Sequence, residues 1–188
     1  AISEAGAGHG LYYAPDPSSQ IACSIGGNVA ENAGGVHCLK YGLTLHNVVA
    51  LEFVTPDGEL VTAGSTGLDD SGFDLLPLIC GSEGMLGVIT EVTVRLTPVA
   101  AAVELVVAAF TNVADASLAV TRIIAEGIVP AGLEMMDGLA IRAAEDFSHA
   151  GYPLDAAAIL LCELDGDPGD LVTQVGTLQS ILRDCGAY

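Results

Sequence analysis

The chain has 188 residues, with five Lys and Arg against 24 Asp and Glu, and a formal net charge of −19. This balance excludes a nucleic-acid binder and a polybasic membrane-surface protein, because both need clustered Lys and Arg. Apolar residues make up 51% of the chain, which is enough to bury a packed core.

The hydropathy and cysteine patterns favour a cytoplasmic chain with no membrane span. The most apolar stretch, residues 99–110, is interrupted by Glu104 and is shorter than the roughly 20 apolar residues that a spanning helix needs. No signal-peptide pattern is found. The cysteines are odd in number and form no C-x-x-C pair, which favours reduced thiols over disulfides or a metal site. They are Cys23, Cys38, Cys80, Cys162 and Cys185.

Glycine divides the chain unevenly and predicts two domains, residues 1–98 and residues 99–188. The first part holds 15 of the 23 glycines, whereas the second is richer in alanine. Pro98 is the predicted boundary, since a proline ends ladder pairing at the end of a strand.

The first part is predicted to be mostly loops with one hairpin. Residues 29–31 form one helical turn. A strand over residues 47–55 is followed by a turn at residues 56–58 and a return strand over residues 59–63. A short helix is predicted over residues 73–79. The final strand covers residues 88–97, and its alternation places Val88, Thr90, Val92, Val94 and Leu96 on one face.

The second part predicts alternating strands and helices. Strands over residues 103–110, 133–136 and 159–164 alternate with helices over residues 113–126, 139–148 and from 167 onward. Asn112 is the predicted cap of the first helix, and Asp167 with Pro168 opens the last. The order β-α-β-α-β-α indicates an α+β sandwich of ferredoxin-like character.

Three segments combine glycines with small polar residues beside a strand: residues 14–28, 32–35 and 81–89. Successive backbone amides in such turns can hold an anion, and glycine lets a ligand approach the backbone. Only Lys40 and Arg95 supply positive charge before residue 99, so amides and the hydroxyls of Ser18, Ser19 and Ser24 would have to do this. The segments should then lie together with their amides turned outward. Tight turns in a glycine-rich fold explain the same pattern equally well.

Two common nucleotide motifs are absent. The chain has no G-x-x-x-x-G-K-[ST] P-loop, and the glycines at residues 6–10 do not match the G-x-G-x-x-G spacing of a Rossmann site.

At these residues the sequence resembles a known family. The runs PDPSS (15–19), CSIGGNVAENAGG (23–35), KYG (40–42) and GSEGMLGVITEVT (81–93) are similar to those of the FAD-linked oxidase family, which has a p-cresol-methylhydroxylase-type FAD domain. This family includes D-lactate dehydrogenases, D-2-hydroxyglutarate dehydrogenases and the FAD subunit of glycolate oxidase. The runs GLEMMD (132–137), AIRAAEDF (140–147) and LLCELDG (160–166) look most like the glycolate oxidase subunit.

The resemblance implies an α+β chain. It would hold the C-terminal part of the FAD domain, residues 1–98, and the start of a ferredoxin-like cap, residues 99–188. An upstream glycine-rich loop and a downstream His-rich segment of the family are not found here, so we expect an internal fragment that is inactive alone.

The activity implied is oxidation of a small D-2-hydroxy acid, glycolate or D-lactate, to the 2-oxo acid. Hydride would pass to flavin N5 and electrons to an acceptor other than NAD. An iron–sulfur electron-transfer subunit is an implied partner, which would allow peripheral attachment to the inner face of the membrane. The alternative is a non-catalytic fragment or interaction module that keeps the fold without flavin.

The resemblance also implies the cofactor-binding residues, with Cys23 acting through its backbone. A small buried apolar residue is the alternative for Cys23. The implied set is Pro15, Asp16, Ser18, Ser19, Cys23, Ser24, Gly26, Gly27, Asn28, Asn32, Ala33, Gly34, Glu83, Gly84, Gly87, Val88 and Ile89.

We assign no catalytic residue and no metal ligand. The histidines do not reproduce the spacing of the family's His-rich segment, and His37 beside Cys38 is interpreted as a turn histidine. The acidic pairs Glu145–Asp146 and Asp69–Asp70 are interpreted as solvated surface.

Overall fold

The computed structural model describes residues 1–65 and 72–188. It contains two compact units, Ala1–Val99 and Ala100–Tyr188, which are called unit 1 and unit 2. The acidic pair Asp69–Asp70 lies outside the described residues.

Unit 1 is built on short helices and two small antiparallel sheets. Strands β2, β3 and β4 pair in the order β3-β2-β4, and β1 pairs with β5. Its core contains Val29, Leu51, Phe53, Leu76 and Ile79. The elements are α1 (Ile2–Ala7), β1 (Leu11–Tyr12), α2 (Ile25–Glu31), α3 (Cys38–Tyr41), α4 (Thr44–Asn47), β2 (Val48–Val54), β3 (Leu60–Gly64), α5 (Leu76–Ile79), β4 (Val88–Val94) and β5 (Thr97–Pro98).

The predicted hairpin of residues 47–63 is confirmed as β2 and β3, with Gly58 in the turn at φ +83°. The predicted helix over residues 73–79 is shorter and begins at Leu76. The helical turn predicted over residues 29–31 is confirmed as part of α2, but the helix is longer and starts at Ile25. The sequence reasoning missed Ser24 as the N-cap, whose side chain accepts a hydrogen bond from the Gly27 amide and starts the helix despite two glycines.

The predicted last strand of unit 1 is wrong in length and partly in face. β4 ends at Val94, and Thr97–Pro98 forms a separate strand. A register shift against Glu52 and Phe53 interrupts the alternation, so Ile89 packs on the core while Val88 is 69% exposed. A bulge of this kind depends on the partner strand, so it left no sign in the alternation of β4.

Unit 2 is a three-stranded antiparallel sheet with helices on both faces. Strand order is β6-β8-β7, and the predicted β-α-β-α-β-α order is confirmed. Its elements are β6 (Ala102–Phe110), α6 (Val113–Ala125), β7 (Gly132–Asp137), α7 (Gly138–Ser148), β8 (Ala158–Gly166) and α8 (Pro168–Asp184).

Alternate residues of the strands face two apolar clusters. Phe110 and Leu160 pack with Ile123 of α6 and Leu178 of α8, and all four side chains are fully buried. On the opposite face, Ile159 packs with Ile141 of α7. The predicted caps are confirmed, since Asn112 accepts from the Asp115 amide and Asp167 from the Gly169 amide.

The interpretation of Glu145 as merely solvated is wrong. Its carboxylate accepts hydrogen bonds from the amides of Gly151 and Tyr152, at 2.8 and 2.9 Å, and so holds the loop that follows α7. Asp146 is exposed, as predicted.

Candidate cofactor-binding cleft

A cleft of about 460 Å³ opens in unit 1 beside the start of α2. Tyr13, Pro15 and Pro17 line one part, and Cys23, Ile25 and Asn28 line another. Residues 1–4 and Gln20 complete it. The cleft therefore includes three residues of the implied set, namely Pro15, Cys23 and Asn28.

The start of α2 exposes an unusually bare stretch of backbone. Gly26 and Gly27 carry no side chain. A Cβ on the exposed Gly27 would approach only Ser24 Oγ, at 3.1 Å, whereas one on the half-buried Gly26 would contact the Ile89 carbonyl oxygen at 3.5 Å. Within the described residues, the amides of Ile25 and Gly26 have no hydrogen-bond acceptor. A ligand can reach the main chain here without displacing a side chain.

The three glycine-containing segments come together around α2. The amides of Gly81 and Glu83 donate to the carbonyls of Val29 and Ala30, both at 2.9 Å. Asn32 ends α2 in the left-handed region, at φ +49°. Its side-chain Oδ1 accepts from the Leu45 amide at 2.9 Å and lies 3.6 Å from Cys80 Sγ. Residues 14–28, 32–35 and 81–89 are thus parts of one frame.

Several amides of these segments donate hydrogen bonds within unit 1, contrary to expectation. Besides those of Gly81 and Glu83, the Ala33 amide donates to the Asn28 carbonyl at 2.8 Å and the Gly35 amide to Cys38 Sγ at 2.8 Å. These segments therefore do not form an extended row of free amides. Of the α2 amides, those of Ile25 and Gly26 remain to bind an anion.

The predicted residues separate into an open group and an internal group. Ser18, Ser19, Cys23, Ser24, Gly27, Glu83, Gly84 and Val88 are exposed, and no atom lies within 4 Å of a Cβ built on Gly84. At two glycines, by contrast, a Cβ would meet protein atoms. A Cβ built on Gly34 would lie 2.9 Å from Leu43 Cδ2, and one built on Gly87 would lie 2.6 Å from the Val54 carbonyl oxygen.

Cys23 is exposed, so its interpretation as a buried apolar residue is wrong. Its sulfur accepts a hydrogen bond from Asn28 Nδ2 at 3.3 Å, which holds the two cleft-lining side chains together.

Asp16 is bound to another part of unit 1. Its Oδ2 lies 2.6 Å from His37 Nδ1, and its Oδ1 accepts from the His37 amide at 3.4 Å. The interpretation of His37 as a turn histidine agrees with this contact. Among the described residues, no cluster of His, Cys, Asp and Glu has the arrangement of a metal site.

Tyr13 is a cleft residue that sequence reasoning missed. Its hydroxyl is buried and has no hydrogen-bond partner among the described residues. Burial raises the pKa of Tyr13 above its usual value. An unpaired buried hydroxyl is costly, so it identifies a place where a bound group could add a partner. The sequence signal that could have identified Tyr13 was its position directly before residues 14–28, the first of the three glycine-containing segments.

No helix in the described parts of the chain has the length and apolar character to cross a membrane.

Two family models match the chain. One, described as an FAD binding domain, matches residues 1–64, and one described as the C-terminal domain of FAD linked oxidases matches residues 99–187.

Curated relatives align along most of the chain. It is 65% identical over its whole length to the glycolate oxidase subunit GlcD of Escherichia coli (strain K12), of which it spans 38%. It is 43% identical over 84% of its length to GlcD of Bacillus subtilis (strain 168), of which it spans 34%. A D-lactate dehydrogenase of Anaerostipes hadrus is 38% identical over 95% of the chain, which spans 41% of that protein. The chain therefore spans about two fifths of the length of these relatives.

Solved structures share the fold. An alkyldihydroxyacetonephosphate synthase superposes on the whole chain with a TM-score of 0.85 at 21% identity, and the match covers 36% of that protein.

Proposed function

We propose that this chain, which belongs to the FAD-linked oxidase family, is part of an enzyme that oxidises a small D-2-hydroxy acid to the 2-oxo acid. The observation that carries the proposal is the 65% identity to GlcD, which continues through the whole chain. The α+β fold does not distinguish the chemistry, because one fold hosts many activities. The cofactor is FAD, which when bound can accept a hydride from the substrate's α-carbon.

We propose that residues 1–98 are the second part of the FAD domain and residues 99–188 the first part of the cap. The two family matches, over residues 1–64 and 99–187, support this division. The full protein would then supply the catalytic base from outside this chain.

The cleft fits part of a dinucleotide. Exposed backbone at Gly27, two amides without acceptors and the unpaired Tyr13 hydroxyl all lie at or beside it. We propose that Pro15, Ser18, Ser19, Cys23, Ser24, Gly26, Gly27 and Asn28 contact FAD, and that Glu83, Gly84 and Val88 approach it from the neighbouring loop and strand.

The other predicted residues have a different role in this proposal. Asp16, Asn32, Ala33, Gly34, Gly87 and Ile89 make internal contacts that hold the cleft's frame in place. We propose that they shape the site without touching the cofactor.

Charge supports binding through neutral groups. Neither Lys40 nor Arg95 lines the cleft, and Lys40 Nζ lies 5.5 Å from the centroid of the Tyr41 ring. The diphosphate of FAD would therefore be held here by amides and hydroxyls.

Flavin reduction by candidate substrates tests the activity. We expect the purified full-length protein to be yellow, and glycolate or D-lactate to bleach its absorbance near 450 nm without oxygen, whereas L-lactate should not. A flavin-containing protein that no 2-hydroxy acid reduces would contradict the substrate class. A colourless, inactive protein that cannot be loaded with FAD would favour the non-catalytic alternative.

Thiol labelling tests the place of the cofactor. Cys23 is the exposed cysteine, whereas burial raises the pKa of the Cys162 thiol to about 12 and keeps it unreactive. In flavin-stripped full-length protein, we expect Cys23 to react first. FAD at about ten times its Kd should slow that reaction roughly tenfold, because only unoccupied protein reacts.

Cys38 is the control for this experiment, since it does not line the cleft. Equal labelling of Cys23 with and without FAD would show that the cofactor lies elsewhere.

The remaining assignments concern the full protein. We propose an iron–sulfur subunit as electron acceptor and a cytoplasmic location, with attachment to the membrane through that partner. The word "subunit" in the name of GlcD supports a multi-subunit assembly.

A further inference from the structure

The wall of the cleft has few hydrogen bonds of its own. Pro15 and Pro17 line it, and neither has an amide hydrogen to donate. Residues 14–17 belong to no helix or strand, and the Gln20 amide donates to the Pro17 carbonyl only within the next turn. Ala14, Pro15 and Pro17 are buried, and the hydrogen bonds that tie residues 14–17 to distant described residues are those of the Asp16 side chain.

Asp16 is held at both carboxylate oxygens by one residue. His37 presents its ring nitrogen to Oδ2 at 2.6 Å and its amide to Oδ1 at 3.4 Å. Both side chains are mostly covered, with 30% of His37 and 23% of Asp16 exposed. Partial burial of this kind strengthens a charge-assisted bond relative to one in open solvent.

Gly35 brings the two segments into contact. A Cβ at this position would overlap the carbonyl and the carboxylate of Asp16, so the main chain before His37 packs directly on Asp16. The Gly35 amide is fixed by Cys38 Sγ at 2.8 Å, which stabilises the turn.

The segment that carries His37 is part of the frame that holds α2. Ala33 binds Asn28 of α2 through its amide and Thr44 through its carbonyl. The wall at Pro15 and Pro17 is therefore linked to α2 through the contact of Asp16 with His37 and the hydrogen bond from Ala33 to the Asn28 carbonyl.

We propose that Asp16 and His37 act as one positioning pair, which holds the cleft wall at the distance from α2 that the cofactor requires. The proposal rests on the assignment of this cleft to FAD. It gives His37 an indirect role in cofactor binding. Asp16, which was expected to contact the cofactor, contacts His37 instead.

The test is a double-mutant cycle in the full-length protein. We expect Asp16→Ala to raise the Kd for FAD by roughly tenfold, and His37→Ala, which keeps the backbone amide bond to Oδ1, to raise it by less. The double variant should be no worse than Asp16→Ala, because that variant already removes both bonds of the pair. Asp16→Asn should fall between wild type and Asp16→Ala, since it keeps one acceptor for two donors. Asp57→Ala is the matched control, an exposed carboxylate in the β2–β3 turn.

Hydrogen exchange separates this proposal from the proposed function. In flavin-free protein, amides of residues 12–22 should exchange faster in Asp16→Ala and His37→Ala than in wild type or Asp57→Ala. An unchanged Kd with unchanged exchange, or additive effects in the double variant, would overturn the pair. If the wild-type protein binds no FAD, the assignment of this cleft to the cofactor is overturned. Faster exchange in the two variants would in that case still show that Asp16 and His37 hold the cleft wall in place.

Discussion

Replacing Gly27 with valine is expected to leave the full-length protein without flavin. Gly27 is exposed on the first turn of α2, beside the cleft residues Cys23 and Asn28. A branched side chain would cover the bare backbone that we assign to the cofactor. Valine does not lower helix propensity relative to glycine, so the helix itself should persist. The ratio of absorbance near 450 nm to that at 280 nm measures flavin retention.

Two variants make the Gly27 result specific. Gly176→Val places the same side chain on an exposed glycine of α8, where a Cβ has no atom within 4 Å, and should retain flavin. Ser24→Ala removes only the helix cap, at a cost of about 1 kcal/mol, and reports how much of the loss comes from the cap. Normal colour and activity in Gly27→Val would remove Gly27 from the site.

Phe110→Ala is expected to destabilise unit 2 by about 3–5 kcal/mol, the usual cost of removing a buried aromatic ring. Phe110 is fully buried among residues of α6, α8 and β8, and its carbonyl accepts from the Ala157 amide at 2.9 Å. Since a loss of this size is a large part of a domain's stability, the variant should unfold at a much lower urea concentration.

Phe147→Ala is the matched control, because Phe147 is 92% exposed on α7. It should change the unfolding midpoint little. Equal midpoints for the two variants would show that the sheet and helices of unit 2 do not pack around Phe110.

Local patterns predicted the elements of unit 2 well. The caps Asn112 and Asp167 and the alternating apolar residues mark where its helices and strands begin, and these signals lie within a few residues of one another. Unit 1 was predicted less completely. α2 begins at the Ser24 cap although Gly26 and Gly27 disfavour a helix, and the bulge in β4 depends on its pairing with β2.

The sequence predicted which segments form the candidate site. It did not predict which of their residues are open to a ligand and which make internal contacts. Gly27 and Gly87 look alike in sequence, yet one is open and the other packs on the Val54 carbonyl. Tyr13 was missed because an unpaired hydroxyl can be recognised only when its surroundings are known.

The sequence by itself determined the family and the FAD cofactor, through the motifs that carry the resemblance, and the order of strands and helices in unit 2. Motifs, caps and alternation are properties of neighbouring residues. Only the tertiary structure decided which amides face inward, which glycines are bare, and that Asp16 binds His37, a residue 21 positions away. Such contacts form when folding brings distant segments together, so no local pattern specifies them.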